Sequence, residues 1–572
     1  MKAYLIFSLK NVISFVNSKD NLDKRNNLFI TDKIAISNFL IKNNFKKVEC
    51  LDSYFPGSIK KKKFIKHYNF FDDLLKREGQ KYSFKIKNTK INTLHNTFSC
   101  DLPRLYSGTK LIITSLEKVL KKHKVKNILY FNDLENEFLE KSFYKHIFQN
   151  FFEKKRIKFD LIFIQENKFK KIIHKYFKSL YFAIFMMREF DLNLLVIKVK
   201  KFFSNILIFE TKNIILEPAC DLNFANYKFK DTKFLNLKEK LTKFMTPIEI
   251  NEDFYNQKYI NLENYFISAL VKKNLLLTNY YEKSLKYFED RNFKNKNIVW
   301  GSSPHFLLRI LLLVLKKRNK IFGVQHGGSY FLTQKDKLHN DSDYIFCNKF
   351  LSYGLNKSFK QSHPEGTKII ETGCYKEPYI NKILKNKKII KNNIIYVPIN
   401  LNNFFKPNFQ SSQTERFKDQ KKICDILNSQ SLFKPYVKIL PNTCIGKSIF
   451  NFYNIEVNPI CYEVNNYRNL LINSNTLITA IRKIRPKVII FDHFSTPAYE
   501  LSKTDSEIIL ILDKTNYPKK DVLKIIKKRF HVIHKPKEIV PIINKINRKK
   551  VKKKNIDFYK FFYEKKEELN FL

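Results

Sequence analysis

NIVWGSSPHFLLRILLLVLKKRNKIFGVQHGG, residues 297–328, reads as a complete strand–helix–strand unit. NIVWG is a short apolar run of strand length. Ser302-Ser303-Pro304 then supplies a hydroxyl N-cap and a proline for the first helical turn. HFLLRILLLVLKKR has helical length, and its basic last turn suits the negative end of the helix dipole. KIFGV is a second strand, broken by the turn Gln325-His326-Gly327-Gly328. Two strands joined by a helix predict a parallel sheet covered by helices.

The same alternation extends in both directions. MKAYLIF, LFITD (28–32), NILYF (127–131) and FDLIFIQ (159–165) read as strands separated by helical stretches. Residues 170–290 are aromatic and Lys-rich with long helical runs. C-terminal to the unit, DYIFCN (343–348), NIIYVPIN (393–400), YVKILPN (436–442), VIIFD (488–492), EIILILD (507–513) and HVIH (531–534) read as strands. TLITAIRKIRP, STPAYELSKT and KEIVPIINKIN read as the helices among them. A polar, Lys/Asn-rich stretch at 375–392 is the expected hinge. The chain then divides into an α/β lobe 1–378 with a helical insertion at about 170–290, a second α/β lobe 379–545, and a basic amphipathic tail 546–572. The tail is read as packing back on the protein, with contact to an anionic membrane surface as the alternative.

The chain has 572 residues and 44% apolar content, enough for several cores. Its net charge of +54 invites a nucleic-acid reading, but only 14 of the 107 basic residues are Arg, and Lys is spread along the whole length. Lys, Asn, Ile and Phe abound together, the signature of an AT-rich coding sequence, so no nucleic-acid partner is expected. The eight cysteines form no CxxC pair, and neither a metal site nor a disulfide framework is expected. The N-terminal apolar run is interrupted by Lys10 and lacks a cleavage site, and Phe306–Leu315 is too short to span a bilayer. The expected location is the cytoplasm, or the inner face of a membrane.

Three segments carry candidate chemistry. His326 ends a strand in a glycine turn, where a ligand approaches the main chain, and imidazole suits general-base work near neutral pH. Gln325, Gly327 and Gly328 share that turn, and Ser302, Ser303 and His305 begin a helix at the same sheet edge. In FDHFSTPAYE (491–500) the strand ends at Asp492, and Ser495 and Thr496 open a helix with hydroxyls able to bind phosphate oxygens. Glu500 stands one turn further, placed to accept a sugar or ribose hydroxyl. Lys438, closing the strand YVK, is a candidate phosphate partner. Each segment also reads as plain capping or turn chemistry.

The order of the segments raises them above that. Strand–QHG turn, DYIFCNKFLSYG, IIETGCYKEPYI, IIYVPIN, VKILPN and IIFDHFSTPAYE succeed one another over roughly 296–545. This succession resembles the CDP-glycerol glycerophosphotransferase group of teichoic-acid polymerases and the related capsule and surface-polysaccharide transferases. The resemblance implies a GT-B-like α/β fold of two Rossmann-like lobes, with a nucleotide donor on the second and an acceptor on the first. It implies transfer of a sugar to a glycan or lipid-linked acceptor, with His326 as base and Ser495 and Thr496 on the donor phosphates. A nucleotide-activated sugar is the substrate, and neither cofactor nor metal is implied. The sequence departs from the group at Leu440, where a histidine is usual, and at His493-Phe494. A polyol-phosphate transferase and a non-catalytic binding protein on the same scaffold are the competing readings.

Overall fold

The computed structural model describes residues 1–18, 23–81, 101–133, 141–162, 293–301, 318–325, 343–353, 367–374, 390–399, 412–439, 467–473, 477–512 and 517–548, with a few short segments and single positions between them. Three parallel sheets organise these residues.

The first is built from β1 (Lys2–Leu5), β2 (Leu28–Thr31), β3 (Lys47–Cys50), β6 (Asn127–Tyr130) and β7 (Lys158–Leu161), in the order β3-β2-β1-β6-β7. A short antiparallel pair, β4 (Phe84–Ile86) and β5 (Thr89–Ile91), stands apart from it. Helices α1 (Leu9–Ser18), α2 (Ile34–Lys42), α3 (Gly57–Lys81), α4 (Asp101–Lys122) and α5 (Lys141–Lys154) accompany the strands. The long helices α3 and α4 bury Phe64, Phe71, Leu75, Leu105, Leu111 and Leu116 in one apolar cluster with the strands.

The second sheet holds β8 (Asn213–Leu216), β9 (Thr232–Leu235), β10 (Asn297–Gly301), β11 (Lys320–Val324), β12 (Lys349–Ser352) and β13 (Lys368–Glu371), in the order β13-β12-β11-β10-β8-β9. Strands β10 and β11 pair in parallel, Asn297 beside Lys320 and Gly301 beside Val324, as the opening unit requires. Of the helix expected between them, Arg309, Leu312, Leu313 and Leu315 are described, all helical. Gly323 is fixed by packing: a Cβ there would lie 2.9 Å from a ring carbon of Phe350.

The strand expected at DYIFCN is displaced. Tyr344–Phe346 forms a tight 3₁₀ turn, and the strand begins at Lys349. Tyr344 and Phe346 of the turn are buried without joining the ladder. The Thr367 hydroxyl donates to the carbonyls of Tyr344 and Cys347 at 2.9 and 3.1 Å and holds the turn closed. Apolar content alone does not separate a buried turn from a buried strand.

The third sheet contains β14 (Ile390–Val397), β15 (Lys434–Lys438), β16 (Leu471–Asn473), β17 (Pro486–Phe491), β18 (Glu507–Ile511) and β19 (His531–Ile533), in the order β16-β15-β14-β17-β18-β19. Its helices are α6 (Gln413–Asn428), α7 (Leu477–Ile484), α8 (Thr496–Leu501), α9 (Lys520–Arg529) and α10 (Ile539–Asn547). EIILI of β18 is buried throughout, as a central parallel strand with both faces covered must be.

Counted along the chain, the first and third sheets run 3-2-1-4-5 and 3-2-1-4-5-6, the Rossmann order, and the second runs 2-1-3-4-5-6. The protein is therefore α/β with Rossmann-like parallel sheets. Residues 1–378, read from the sequence as one lobe, carry two of the three. In the tail, Phe558 is buried, its ring 5.3 Å from that of Phe530 after α9. Among the described residues no helix is long and apolar enough to cross a membrane.

Candidate functional site

In open parallel sheets, ligands gather at the carboxyl ends of the strands, where the strand order reverses. In the third sheet that point lies between β14 and β17, and the chain leaves β17 through Asp492. Its carboxylate accepts from the Ile399 backbone N–H at 2.7 Å, the Tyr396 hydroxyl at 3.0 Å and Gln420 Nε2 at 3.0 Å. His493 Nδ1 lies 3.3 Å away, and Arg416 Nη1 donates to the Asp492 carbonyl at 3.0 Å. Burial works to raise the Asp492 carboxyl. The His493 and Gln420 hydrogen bonds and the Arg416 charge outweigh it and hold the group below the usual carboxylate range. Burial lowers the His493 imidazole, more than Asp492 raises it.

Asp492 is thus consumed in joining the loop after β14 to the end of β17. It shapes the edge where a donor-binding role was read from the sequence. Ser495 differs. It caps α8 in extended conformation, and its Oγ is buried with no hydrogen-bond partner. A buried hydroxyl without a partner is costly to keep and is what a ligand oxygen would satisfy. Thr496 is the first residue of α8, with Pro497 behind it, and Glu500 lies on the same short helix. Because α8 has only six residues, its dipole is weak, and the local donors matter more than the macrodipole. Lys438 ends β15, buried beside β14, and its Nζ donates to the Ile439 carbonyl.

Of the acceptor-side residues, Gln325 is described. It follows β11, is buried, donates its backbone N–H to the Leu351 carbonyl at 2.9 Å, and accepts the Tyr353 N–H on its side-chain oxygen at 2.9 Å. Tyr353 in turn packs its ring against Tyr499 of α8, with centroids 5.6 Å apart. A continuous contact chain therefore runs from the end of β11 to the helix that follows Ser495. His326, Gly327, Gly328, Ser302, Ser303 and His305 lie outside the described residues. The strands that lead into them, β10 and β11, are neighbours in the sheet.

The sequence reading passed over Arg416 and Gln420, both buried on α6, and Tyr396, all of which hold the third-sheet edge. It also passed over three aspartates at the carboxyl edge of the first sheet. Asp133, after β6, accepts the N–H groups of Phe7 and Ser8 at 3.0 and 2.7 Å. Asp52, after β3, pairs with Lys60 and accepts the Thr414 N–H at 3.1 Å. Asp32, after β2, is fully buried. Only LFITD hinted at them, by placing an acid at a strand end. Among the described residues, no group of three or more His, Cys, Asp or Glu is placed to hold a metal ion.

The sheet orders and their carboxyl edges define an α/β protein of Rossmann-like architecture. No known family profile matches the chain, and no curated protein matches it. Among solved structures it is similar to UDP-GlcNAc 2-epimerase from Neisseria meningitidis bound to UDP-GlcNAc, at 8% identity and TM-score 0.33, covering 62% of this chain and 94% of that one. It is also similar to MurG from Acinetobacter baumannii, at 7% identity and TM-score 0.34, covering 60% of this chain and 92% of that one. A third similar structure is a UDP-glucosyltransferase from Polygonum tinctorium, at 8% identity and TM-score 0.31, over 59% and 89% of the two chains.

Proposed function

We propose that the chain is a glycosyltransferase of GT-B type, moving a sugar from a nucleotide-activated donor to a surface-polysaccharide or lipid-linked acceptor. The observation that carries this reading is the buried, unpartnered Ser495 Oγ at the edge of a sheet of Rossmann order. The contact chain Gln325–Tyr353–Tyr499 links that edge to the end of β11. The donor phosphates bind at Ser495 and Thr496, with Lys438 and Arg416 as the cationic background and Glu500 taking a hydroxyl. Asp492 keeps the loop in shape. His326, the residue after Gln325, takes the proton from the acceptor hydroxyl, and Gly327 and Gly328 make room for the acceptor. Ser302, Ser303 and His305 complete the acceptor side of the turn.

Departure of the nucleotide places negative charge on the donor phosphate, and hydrogen-bond donors already fixed toward that position stabilise it without reorganising. No resident cofactor enters this scheme, since the activated sugar is itself the substrate, and the scheme assigns no step to a metal. Charge spread along the chain gives no reason to add a nucleic-acid partner. The reading places the protein on the cytoplasmic side, where nucleotide sugars are made. The burial of Phe558 favours packing as the role of the tail over membrane contact.

A thermal-shift panel of CMP, CDP, UDP, GDP and TDP tests the donor half of the proposal. One diphosphate should raise the melting temperature of the parent and not that of the Ser495→Ala/Thr496→Ala double variant. Equal shifts in both proteins would remove the phosphate assignment.

A further inference from the structure

The first sheet has Rossmann order, yet its edge is furnished for a different ligand from that of the third. In a dinucleotide-binding sheet the turn between the first strand and first helix is glycine-rich, and its amides take the pyrophosphate. Here the turn is Ile6-Phe7-Ser8: the Ile6 N–H bonds the Ile30 carbonyl, and the N–H groups of Phe7 and Ser8 are already bonded to Asp133. Asn132, with φ of 46°, adopts the left-handed conformation just before Asp133. Asn11 Nδ2 adds a further bond at 3.4 Å. A phosphate finds that place filled by a carboxylate of the same charge.

Asp32 stands at the end of β2, between Asp52 at the end of β3 and Asp133 at the end of β6. It is fully buried, and neither carboxylate oxygen has a hydrogen-bond partner. Its two neighbours have theirs: Lys60 and the Thr414 N–H for Asp52, backbone amides for Asp133. Asp32 also lies at a seam, because Gln413 of α6 donates to its backbone carbonyl at 3.4 Å. An unpaired buried carboxylate is among the costliest groups a protein can keep, and such groups concentrate where a ligand or a reaction uses them.

We infer that Asp32 is a binding site for a neutral polyhydroxylated ligand, a sugar whose hydroxyls donate to its two free oxygens. The inference rests on the transferase reading only in naming this ligand the acceptor. Hydroxyls fit better than a cation, because the lone pairs of Asp52 and Asp133 are already taken by donors. Sugar entry parts the seam between Asp32 and Gln413, a hinge movement of the kind two-lobed proteins make around ligands. Burial, reinforced by the Asp133 and Asp52 charges against Lys33, pushes the Asp32 carboxyl up to about 7. Its folded value exceeds its unfolded one, so ionisation subtracts stability as pH rises toward 7, and that loss is complete above it.

The test is ligand-observed NMR on the full chain at pH 8 with glucose, N-acetylglucosamine and maltose, beside thermal melting from pH 4 to pH 8. The parent should receive saturation transfer from at least one sugar, and Asp32→Asn should lose it tenfold or more. Asp32→Asn should also melt higher than the parent at pH 8 and level with it at pH 4, as expected when a site built for a ligand is relieved of its charge. Asp32→Ser serves as the second variant if Asn does not fold. No transfer from any of the three sugars to the parent, undiminished transfer to the variants, or stabilisation of the parent alone by calcium or magnesium chloride would each overturn the inference. The sugar readout contains no nucleotide, so a failed nucleotide panel leaves it standing, and its own failure leaves the donor assignment untouched.

Discussion

The first and third sheets solve the same topological problem with the same device and opposite electrostatics. In both, an aspartate after the fourth strand reaches across the reversal point and holds the loop after the first strand. Asp133 holds Phe7 and Ser8, and Asp492 holds Ile399. Asp492 is surrounded by compensating groups, and Gln420, His493 and Arg416 keep it below the usual carboxylate range. Asp133 has backbone amides, Asn11 and Lys33 to set against its burial, and it is pushed up to about 6. The consequence is a division of labour. The third edge carries Arg416, Lys438 and an unpartnered hydroxyl, which suits a phosphate; the first has a surplus of carboxylate, which suits hydroxyl donors. Topology offers a ligand position in both, and the side chains decide which ligand takes it.

The largest effect belongs to the chemistry between the edges. If His326 is the base, His326→Ala lowers turnover by about 10²–10⁴-fold while nucleotide binding and melting temperature stay near the parental values. A variant that melts far earlier yet keeps its activity per folded molecule would make His326 a turn residue. The site would then have to be completed from Ser303 or His305.

The two clamping aspartates come next. Asp492→Ala leaves three buried donors without their acceptor and Arg416 without the carboxylate charge beside it, and should cost about 3–5 kcal/mol in denaturant unfolding. Asp133→Ala orphans backbone amides but no cation and should cost about 1–3 kcal/mol. Their pH dependence separates them further. The folded value of Asp133 is raised, so the parent loses stability as pH climbs from about 4 to 6, and the deficit of Asp133→Ala shrinks over that window. The folded value of Asp492 is lowered, so its contribution is fully present above its unfolded value and fades only in stronger acid. The Asp492→Ala deficit is therefore flat between about pH 7 and 8, above the range where the coupled His493 titrates. Parallel curves for the two variants would erase the distinction between the edges.

A smaller effect is expected at the proposed phosphate site. Removing both hydroxyls in Ser495→Ala/Thr496→Ala should weaken the best nucleotide of the panel by about 1–3 kcal/mol with little change in unfolding. Isothermal titration separates this from a folding defect, since the stoichiometry stays at its parental value.

What could be read beforehand follows from how local each signal is. Strands β10, β11, β17 and β18 are apolar runs closed by a turn or an acid and stand where the sequence put them, to within two residues, whereas β14 begins at Ile390, inside the 375–392 stretch read as the hinge. Helix α6 escaped notice because its inward face buries Gln413, Arg416 and Gln420 among its apolar residues, so its periodicity is faint. Those polar residues are buried because the third-sheet edge needs them, and nothing local to QTERFKDQKKICDILN announces that. Asp133 is likewise mute in the sequence, its partners Phe7 and Ser8 lying 126 and 125 residues away. Ser495 was visible as a cap at a strand end, but its missing partner is a fact of three dimensions.

The smallest effect probes whether the second and third sheets share one cleft. Tyr353 follows β12 and Tyr499 belongs to α8, and their rings meet at 5.6 Å with a 36° tilt. An aromatic pair of this kind is worth about 0.5–1.5 kcal/mol beyond the area it buries. A double-mutant cycle with Tyr353→Leu and Tyr499→Leu isolates that term from the burial each ring loses separately. The expected coupling is within that range, and it should fall when a bound nucleotide draws the third-sheet edge away or rise when it draws the edge in. Either change links donor binding to the path through Gln325 that ends beside His326. A coupling of zero would mean that the two edges meet without holding each other. Communication between donor and base would then have to run through the substrate alone.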